Sequence, residues 1–317
     1  MNKKIIGIDL GGTTIKFGVL SVDGKLESKW TIDTNIAENG RYIVSDIVKS
    51  IQEYLITNSL TTDDIFGIGM GSPGQIDYEK GTVRGAYNLG WAEEQEIKSV
   101  IESEIGVPFA IDNDANAAAL GEAWIGAGDN KPDVIFITLG TGVGGGVIIN
   151  RKLVHGSRGA AGEIGHMLVD SKGFTCTCGN VGCLETVASA TGIVNLANKY
   201  VNDFEETNGL VKLVKEGKAS AKEVFDYAKS GDKYGTFIVD EFAKYLGKTC
   251  SQLANALNPN YIVIGGGVSA AGEYLLEKVN NVYLEYAFPT VRISTELKLA
   301  SLGNDAGIIG AASLILK

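Results

Sequence analysis

Short β-branched runs that break at glycine clusters recur along this chain, with amphipathic stretches of helical period between them. Residues 4–9 form one such run. Leu10-Gly11-Gly12-Thr13-Thr14 follows, and then a second apolar run over 15–21. This pattern predicts a β-hairpin closed by a glycine turn. Residues 134–139, Gly140-Thr141-Gly142 and residues 144–150 repeat it. Laying Leu10-Gly11 over Leu139-Gly140 superposes the two hairpins, each with threonine and glycine in its turn. The repeat predicts two related α/β domains facing one another.

Between the hairpins, Ile43, Ile47, Ile51 and Leu55 keep a helical spacing within 39–57. Further helices are expected over 97–105, 113–127, 188–200, 222–229, 234–257 and 306–316. Strands are expected over 65–71, 108–111 and 261–264. The first of these runs into the turn Ser72-Pro73-Gly74 and the last into Gly265-Gly266-Gly267. We place the boundary near Ala115. The smaller domain is then 1–115 with the terminal helix 305–317 packed back on it, and the larger is 116–304.

Composition narrows the class. A chain of 317 residues suggests roughly two domains, and 44% hydrophobic residues support sizeable cores. A formal charge of -10 opposes nonspecific nucleic-acid or anionic-membrane binding. Two lysines open the chain, but no apolar region follows them as in a signal peptide. The uncharged stretch 134–150 is too short and too glycine-broken for a membrane helix. A cytoplasmic, enzyme-like protein is the expectation.

Cysteine use is sparse and clustered. Of four cysteines and two histidines, Cys176, Cys178, Cys183 and His166 fall in one short loop, 166–183. One imidazole and three thiolates complete a tetrahedral zinc set and leave no open position, so the role would be structural. A disulfide would leave one cysteine over. His155 and Cys250 read as a loop histidine and a core thiol.

Other motifs point to phosphate and hydroxyl chemistry. In Asp9-Leu-Gly11-Gly12-Thr13-Thr14-Ile-Lys16, glycines let backbone N–H groups approach phosphate oxygens and the threonines add donors. Asp9 could hold Mg²⁺ or its water, and Lys16 could offset phosphate charge. Gly140, Thr141 and Gly142 suit the other side of a polyphosphate. Gly265, Gly266 and Gly267 would let an adenosine lie close to backbone, or simply turn a strand into a helix. In Asp112-Asn113-Asp114-Ala115-Asn116, Asp114 could take a hydroxyl proton while Asn113 orients the same alcohol. Helix capping would need only one such residue. Glu163 and Glu185, flanking the cysteine loop, suit bidentate bonding to vicinal hydroxyls. If one ring nitrogen of His166 binds zinc, the other is a fixed donor.

At these residues, in this order along essentially the whole chain, the sequence strongly resembles the ROK family of sugar kinases and repressors, within the sugar kinase/Hsp70/actin superfamily. The resemblance implies two actin-like (ribonuclease H-like) α/β domains around a central cleft. ATP phosphates would lie between Gly11–Thr14 and Gly140–Gly142, with Asp114 as base. Sugar contacts would be Gly74, Asn113, Asp114, Glu163, His166 and Glu185, and zinc ligands His166, Cys176, Cys178 and Cys183. Gly85-Ala-Tyr-Asn88-Leu-Gly-Trp91 looks most like the ATP-dependent glucokinases, adding Asn88 as a sugar contact and Trp91 as packing. The implied reaction is MgATP-dependent phosphorylation of glucose at O6. Fructose, mannose, N-acetylglucosamine and N-acetylmannosamine kinases share most of this site, and a polyphosphate donor stays open. A homodimer or homotetramer is implied by resemblance alone. A family repressor would carry an N-terminal helix-turn-helix, whereas here the first strand starts by Lys4. A polymerising actin-like ATPase would leave the zinc loop unexplained.

Overall fold

The computed structural model describes residues 3–205 and 209–316. Met1, Asn2 and Lys317, which fall in the N-terminal stretch and the 305–317 segment read above, lie outside the described residues. The chain divides into two compact units. The first is Met1–Asn130, Leu153–Ala161 and Leu302–Lys317; the second is Lys131–Lys152 and Gly162–Ser301.

In the first unit the strands are β1 (Lys4–Leu10), β2 (Thr14–Ser21), β3 (Leu26–Asp33), β4 (Ile65–Ser72), β5 (Gln75–Asp77), β6 (Thr82–Arg84), β7 (Gln95–Glu96) and β8 (Phe109–Asn113). The main sheet has the order β3-β2-β1-β4-β8, and β5-β6-β7 form a small sheet of their own. β1 runs antiparallel to β2 and parallel to β4, and β4 parallel to β8. The central strands are nearly continuous apolar runs because both faces are covered. Ile5, Ile6, Ile8, Ile68 and Met70 are fully buried. The edge strand β3 alternates instead, and its Trp30 stacks between Phe17 and Tyr54 at 4.7 and 4.2 Å. Each such pair contributes about 0.5–1.5 kcal/mol beyond area burial.

Two glycines let the chain's end close this sheet. Gly7 and Gly69 are register partners on β1 and β4. A Cβ on either would collide with a carbonyl of the helix Ala306–Ser313, that of Ile308 or of Ala311. The first unit continues past Ala115 to Asn130 for a related reason. The helix Asp114–Trp124 meets the terminal helix backbone to backbone, at Gly121 and Gly310. Buried Glu122 ties the approach by accepting from the amides of Ala127 (2.9 Å) and Leu302 (2.8 Å).

The second unit repeats the sheet with β9 (Val134–Leu139), β10 (Val143–Ile149), β11 (Lys152–Leu153), β12 (Tyr261–Gly265) and β13 (Glu296–Leu299), in the order β11-β10-β9-β12-β13. Again the hairpin is antiparallel and the following pairs are parallel. The two sheets match position for position, the repeated α/β arrangement that the paired glycine hairpins predict. The 25-residue helix Lys233–Leu257 runs through this unit's core with Ile238, Phe242, Leu246 and Cys250 fully buried. Burial pushes the Cys250 thiol up to about 12, so it is an inert core group.

Several elements depart from the periodicity. The helix within 39–57 starts at Ile43, because Glu38 and Asn39 hold positive φ. The stretch 188–200 becomes two helices, Glu185–Ala188 and Ala190–Tyr200, broken at Ser189, whose side chain caps the second. The terminal helix ends at Ser313 and tightens into a 3₁₀ turn. No described helix is long and apolar enough to cross a membrane.

Candidate active site

Parallel pairing brings three distant motifs to one edge of the first sheet. Asp9 on β1 is level with Gly71 on β4, and Gly71 is level with Asp112 on β8. The segments that follow these strands therefore leave the sheet side by side. They are Gly11–Thr13, Pro73-Gly74 and Asp114. The carboxyl ends of parallel strands are where open α/β sheets bind ligands. The glycine turn is closed by Gly11 N–H donating to Thr14 O at 3.1 Å, and Thr34 Oγ donates to Gly11 O at 2.7 Å. Gly12 faces the side chain of Asn88, which is exposed on a 3₁₀ turn. Gly74 takes a φ of 97°, a left-handed conformation that favours glycine. Trp91 is buried and donates to Gly40 O at 3.1 Å, a packing residue. Lys16 pairs with Asp9 at 3.0 Å across the hairpin.

At the end of β8 the capping and chemical readings divide between residues. Asn113 caps the following helix, its Oδ1 accepting from the amides of Ala115 (2.9 Å) and Asn116 (3.4 Å). Asp112 is buried and accepts from the Asn113 amide and from Asn116 Nδ2, both at 2.8 Å. Asp114 accepts from the Ala115 amide, at 2.8 Å, and is open to solvent on one side. The surrounding protein still strips enough water to raise its pKa, and the negative charge of Asp9 adds to the rise. A carboxylate held at the mouth of a turn with a raised pKa is suited to accept a proton.

In the second unit the other glycine clusters also leave adjacent parallel strands, with Gly265 level with Thr138. Gly140 N–H donates to Gly142 O at 2.9 Å, closing a turn like the first. A cavity of about 550 Å³ opens beside it, lined by Gly140, Thr141, Phe225, Gly267, Val268 and Ala271. Of the triple glycine only Gly267 faces this cavity. Gly265 packs on Phe136, and Gly266, at a φ of 83°, abuts the backbone of Leu139. Phe225, with Lys222, Asp226 and Lys229 on the same helix Ala221–Lys229, was invisible as a site residue. Its spacing signalled only an amphipathic helix.

His166, Cys176, Cys178 and Cys183 place their ligand atoms within 4.8 Å of one another. A tetrahedral ion with Zn–S bonds of ~2.3 Å and a Zn–N bond of ~2.0 Å needs sulfurs about 3.8 Å apart and a sulfur–nitrogen gap of about 3.5 Å. Cys178 and Cys183 are 3.7 Å apart, and Cys176 is 3.6 Å from His166 Nδ1. The donor set therefore fits zinc. Burial and the neighbouring thiols push Cys183 up to about 12, an environment that a divalent cation would reverse. His166 turns its other nitrogen, Nε2, toward Glu163 Oε2 at 3.8 Å.

Glu185 joins this cluster to the second glycine turn. Its Oε2 accepts from the Val143 amide at 3.0 Å, and its Oε1 lies 3.7 Å from Cys176 Sγ. Gly142 is obligatory for this geometry, because a Cβ there would strike Glu185 Oε2. On the sugar-contact role that the family resemblance implies for Glu185, Gly142→Ala should raise the KM for sugar, not only that for nucleotide, by roughly tenfold or more as Glu185 is displaced. Steady-state kinetics varying each substrate in turn would check this; a change confined to the nucleotide KM would refute it.

Two repeated α/β sheets with glycine turns at the ends of their parallel strands, and a Cys₃His loop beside the second, define a sugar-kinase type of protein. Residues 5–317 match the model of the ROK family, and the chain belongs to that family. It is 44% identical to a glucokinase of Halalkalibacterium halodurans, over 98% of this chain and 94% of that one. It is 31% identical to a xylose repressor of Caldicellulosiruptor bescii, covering 98% of this chain and 78% of the repressor. A ROK family glucokinase of Streptomyces griseus, solved in complex with glucose and AMPPNP, is 34% identical. It superposes with a TM-score of 0.75 over 98% of each chain. Within the family the chain is glucokinase-like.

Proposed function

We propose that the protein transfers the γ-phosphoryl group of ATP to the 6-hydroxyl of glucose, giving glucose 6-phosphate and ADP. The observation that carries this reading is Asp114. It is a carboxylate of raised pKa, close enough to Asp9 to feel its charge, at the strand ends that also present the Gly11–Thr13 turn. The similarity to glucokinases supports glucose as the sugar.

In this mechanism Gly74, Asn88 and Asn113 orient the hexose beside Asp114, and Glu163, His166 and Glu185 bond its other hydroxyls. Asp114 accepts the O6 proton as O6 attacks phosphorus and the bond to the bridging β,γ oxygen breaks. Backbone amides of Gly11, Gly12 and Thr13 and of Gly140–Gly142, with the hydroxyls of Thr13, Thr14 and Thr141, hold phosphate oxygens. The cavity ending at Gly267 suits the adenosine. Mg²⁺, when bound with ATP, would neutralise phosphate charge, and Asp9 is the carboxylate placed to hold it or its water. Zinc, held by His166, Cys176, Cys178 and Cys183, would fix the orientation of the His166 ring.

The test is ADP release with MgATP and glucose, mannose, fructose, N-acetylglucosamine or N-acetylmannosamine, against a control without sugar. Strong preference for glucose is the expected result. Preference for another hexose would keep the chemistry and replace the substrate. No sugar-dependent ADP from folded, zinc-replete protein would defeat the proposal.

A further inference from the structure

We infer that His155 is a positioning residue for the phosphoryl-transfer site, acting through Asp112 on the turn that carries Asp114; this rests on the kinase reading above. From its spacing alone His155 was an ordinary loop histidine. In the structure its Nε2 lies 2.6 Å from Asp112 Oδ2. Toward an ionised carboxylate, which only accepts, Nε2 is the donor. The Asp112 side chain is 4% exposed, and its other oxygen takes the Asn113 amide and Asn116 Nδ2. A buried carboxylate this fully engaged fixes the backbone on which Asn113 and Asp114 leave β8.

Two further contacts extend the role. The His155 ring stacks on Tyr78, centroids 3.9 Å apart and planes 15° from parallel. Tyr78 directly follows β5, which itself begins just after Gly74. His155 also belongs to Leu153–Ala161, a segment that groups with the first unit while the chain on both sides of it belongs to the second. That segment runs on directly into Gly162-Glu163. One imidazole thus gathers three stretches of chain, each leading to a different proposed sugar contact: Gly74, Asp114 and Glu163. Removing the imidazole leaves Asp112 Oδ2 without its partner and frees the loop from β8. The turn bearing Asp114 then loses its fixed orientation.

Full-length, zinc-loaded His155→Ala should lose roughly 10- to 100-fold in kcat/KM for the sugar, the scale of a displacement of about an ångström. Its KM for ATP and zinc content should stay at wild-type values. His155→Gln, which keeps an N–H within reach of Asp112, should recover most of the loss. Amide hydrogen exchange should rise together over 110–116 and 154–161 in His155→Ala. Unchanged kcat/KM overturns the inference. So does a loss that His155→Gln does not recover, or one that disappears when assays are run well below each variant's Tm. If His155→Ala does not fold, Tyr78→Leu removes the stacking partner alone and should lower kcat/KM several-fold; no change there overturns the inference equally. If the wild type phosphorylates no sugar, the proposed function fails. The exchange experiment then decides for or against the coupling by itself.

Discussion

Asp114→Asn should lower turnover by about a thousandfold, within the range that a positioned general base contributes, and leave the KM for glucose within a few-fold. The amide keeps the shape and one acceptor oxygen but cannot take the proton. Steady-state kinetics with calorimetric glucose binding would check both halves; near-normal turnover would remove Asp114 from the role of base. The same variant has a signature in stability. Burial and Asp9 raise the Asp114 pKa above its ordinary 3.8. The folded state therefore holds the proton more tightly than the unfolded state, and stability falls as pH rises through that window. Above the folded pKa the wild type carries the full cost of an ionised Asp114. Asn should thus melt higher than wild type at pH 7, and the gain should vanish below about pH 3.8. The acidic limb of the wild-type rate profile should likewise lie above the range of an ordinary aspartate.

Removing zinc should have the other large effect. In isolated finger peptides such sites bind zinc with an apparent free energy on the order of 10 kcal/mol near pH 7, and that binding is folding free energy. Cys183→Ser, or chelation of the wild type, should release about one zinc per chain, lower the melting temperature and abolish sugar binding together. The last follows because His166 joins the ligand set to Glu163, and Cys176 lies against Glu185. Metal analysis and calorimetry on one preparation would check it. A metal-free protein with full activity would refute the site.

Both hairpins, the helix over 97–105 and the strand over 261–264 were legible because their apolar runs and glycine breaks are local signals. The Cys₃His cluster was legible because its members lie in one short loop, where sequence proximity brings spatial proximity. Position along the chain could not show that Asp112, Asn113 and Asn116 engage one another and the helix start while Asp114 keeps an open side. That arrangement depends on donors supplied from the helix start and from His155. His155 itself carries no local pattern, and its partners come from strands distant in sequence. The helix Glu273–Tyr286 escaped notice although Leu275, Val279 and Tyr283 keep helical spacing and are buried. Tyr274, Leu276, Val282 and Leu284 spread apolar residues over its other faces and blur the period. β3, an alternating, half-exposed edge strand, offers no apolar run, and β5, β6 and β7 are too short for one.

The way the terminal helix closes the first sheet bears on how the protein is made. Gly7 and Gly69 are kept bare so that residues near Ile308 and Ala311 can lie on them. A ribosome therefore delivers all five strands of that sheet long before it delivers their cover. All of the second unit, which holds no piece of 1–130 or of 302–317, emerges in between. The unit begun first is the one that must wait, its glycine-paved strands open to chaperones or to neighbouring chains until the last turns of helix leave the tunnel.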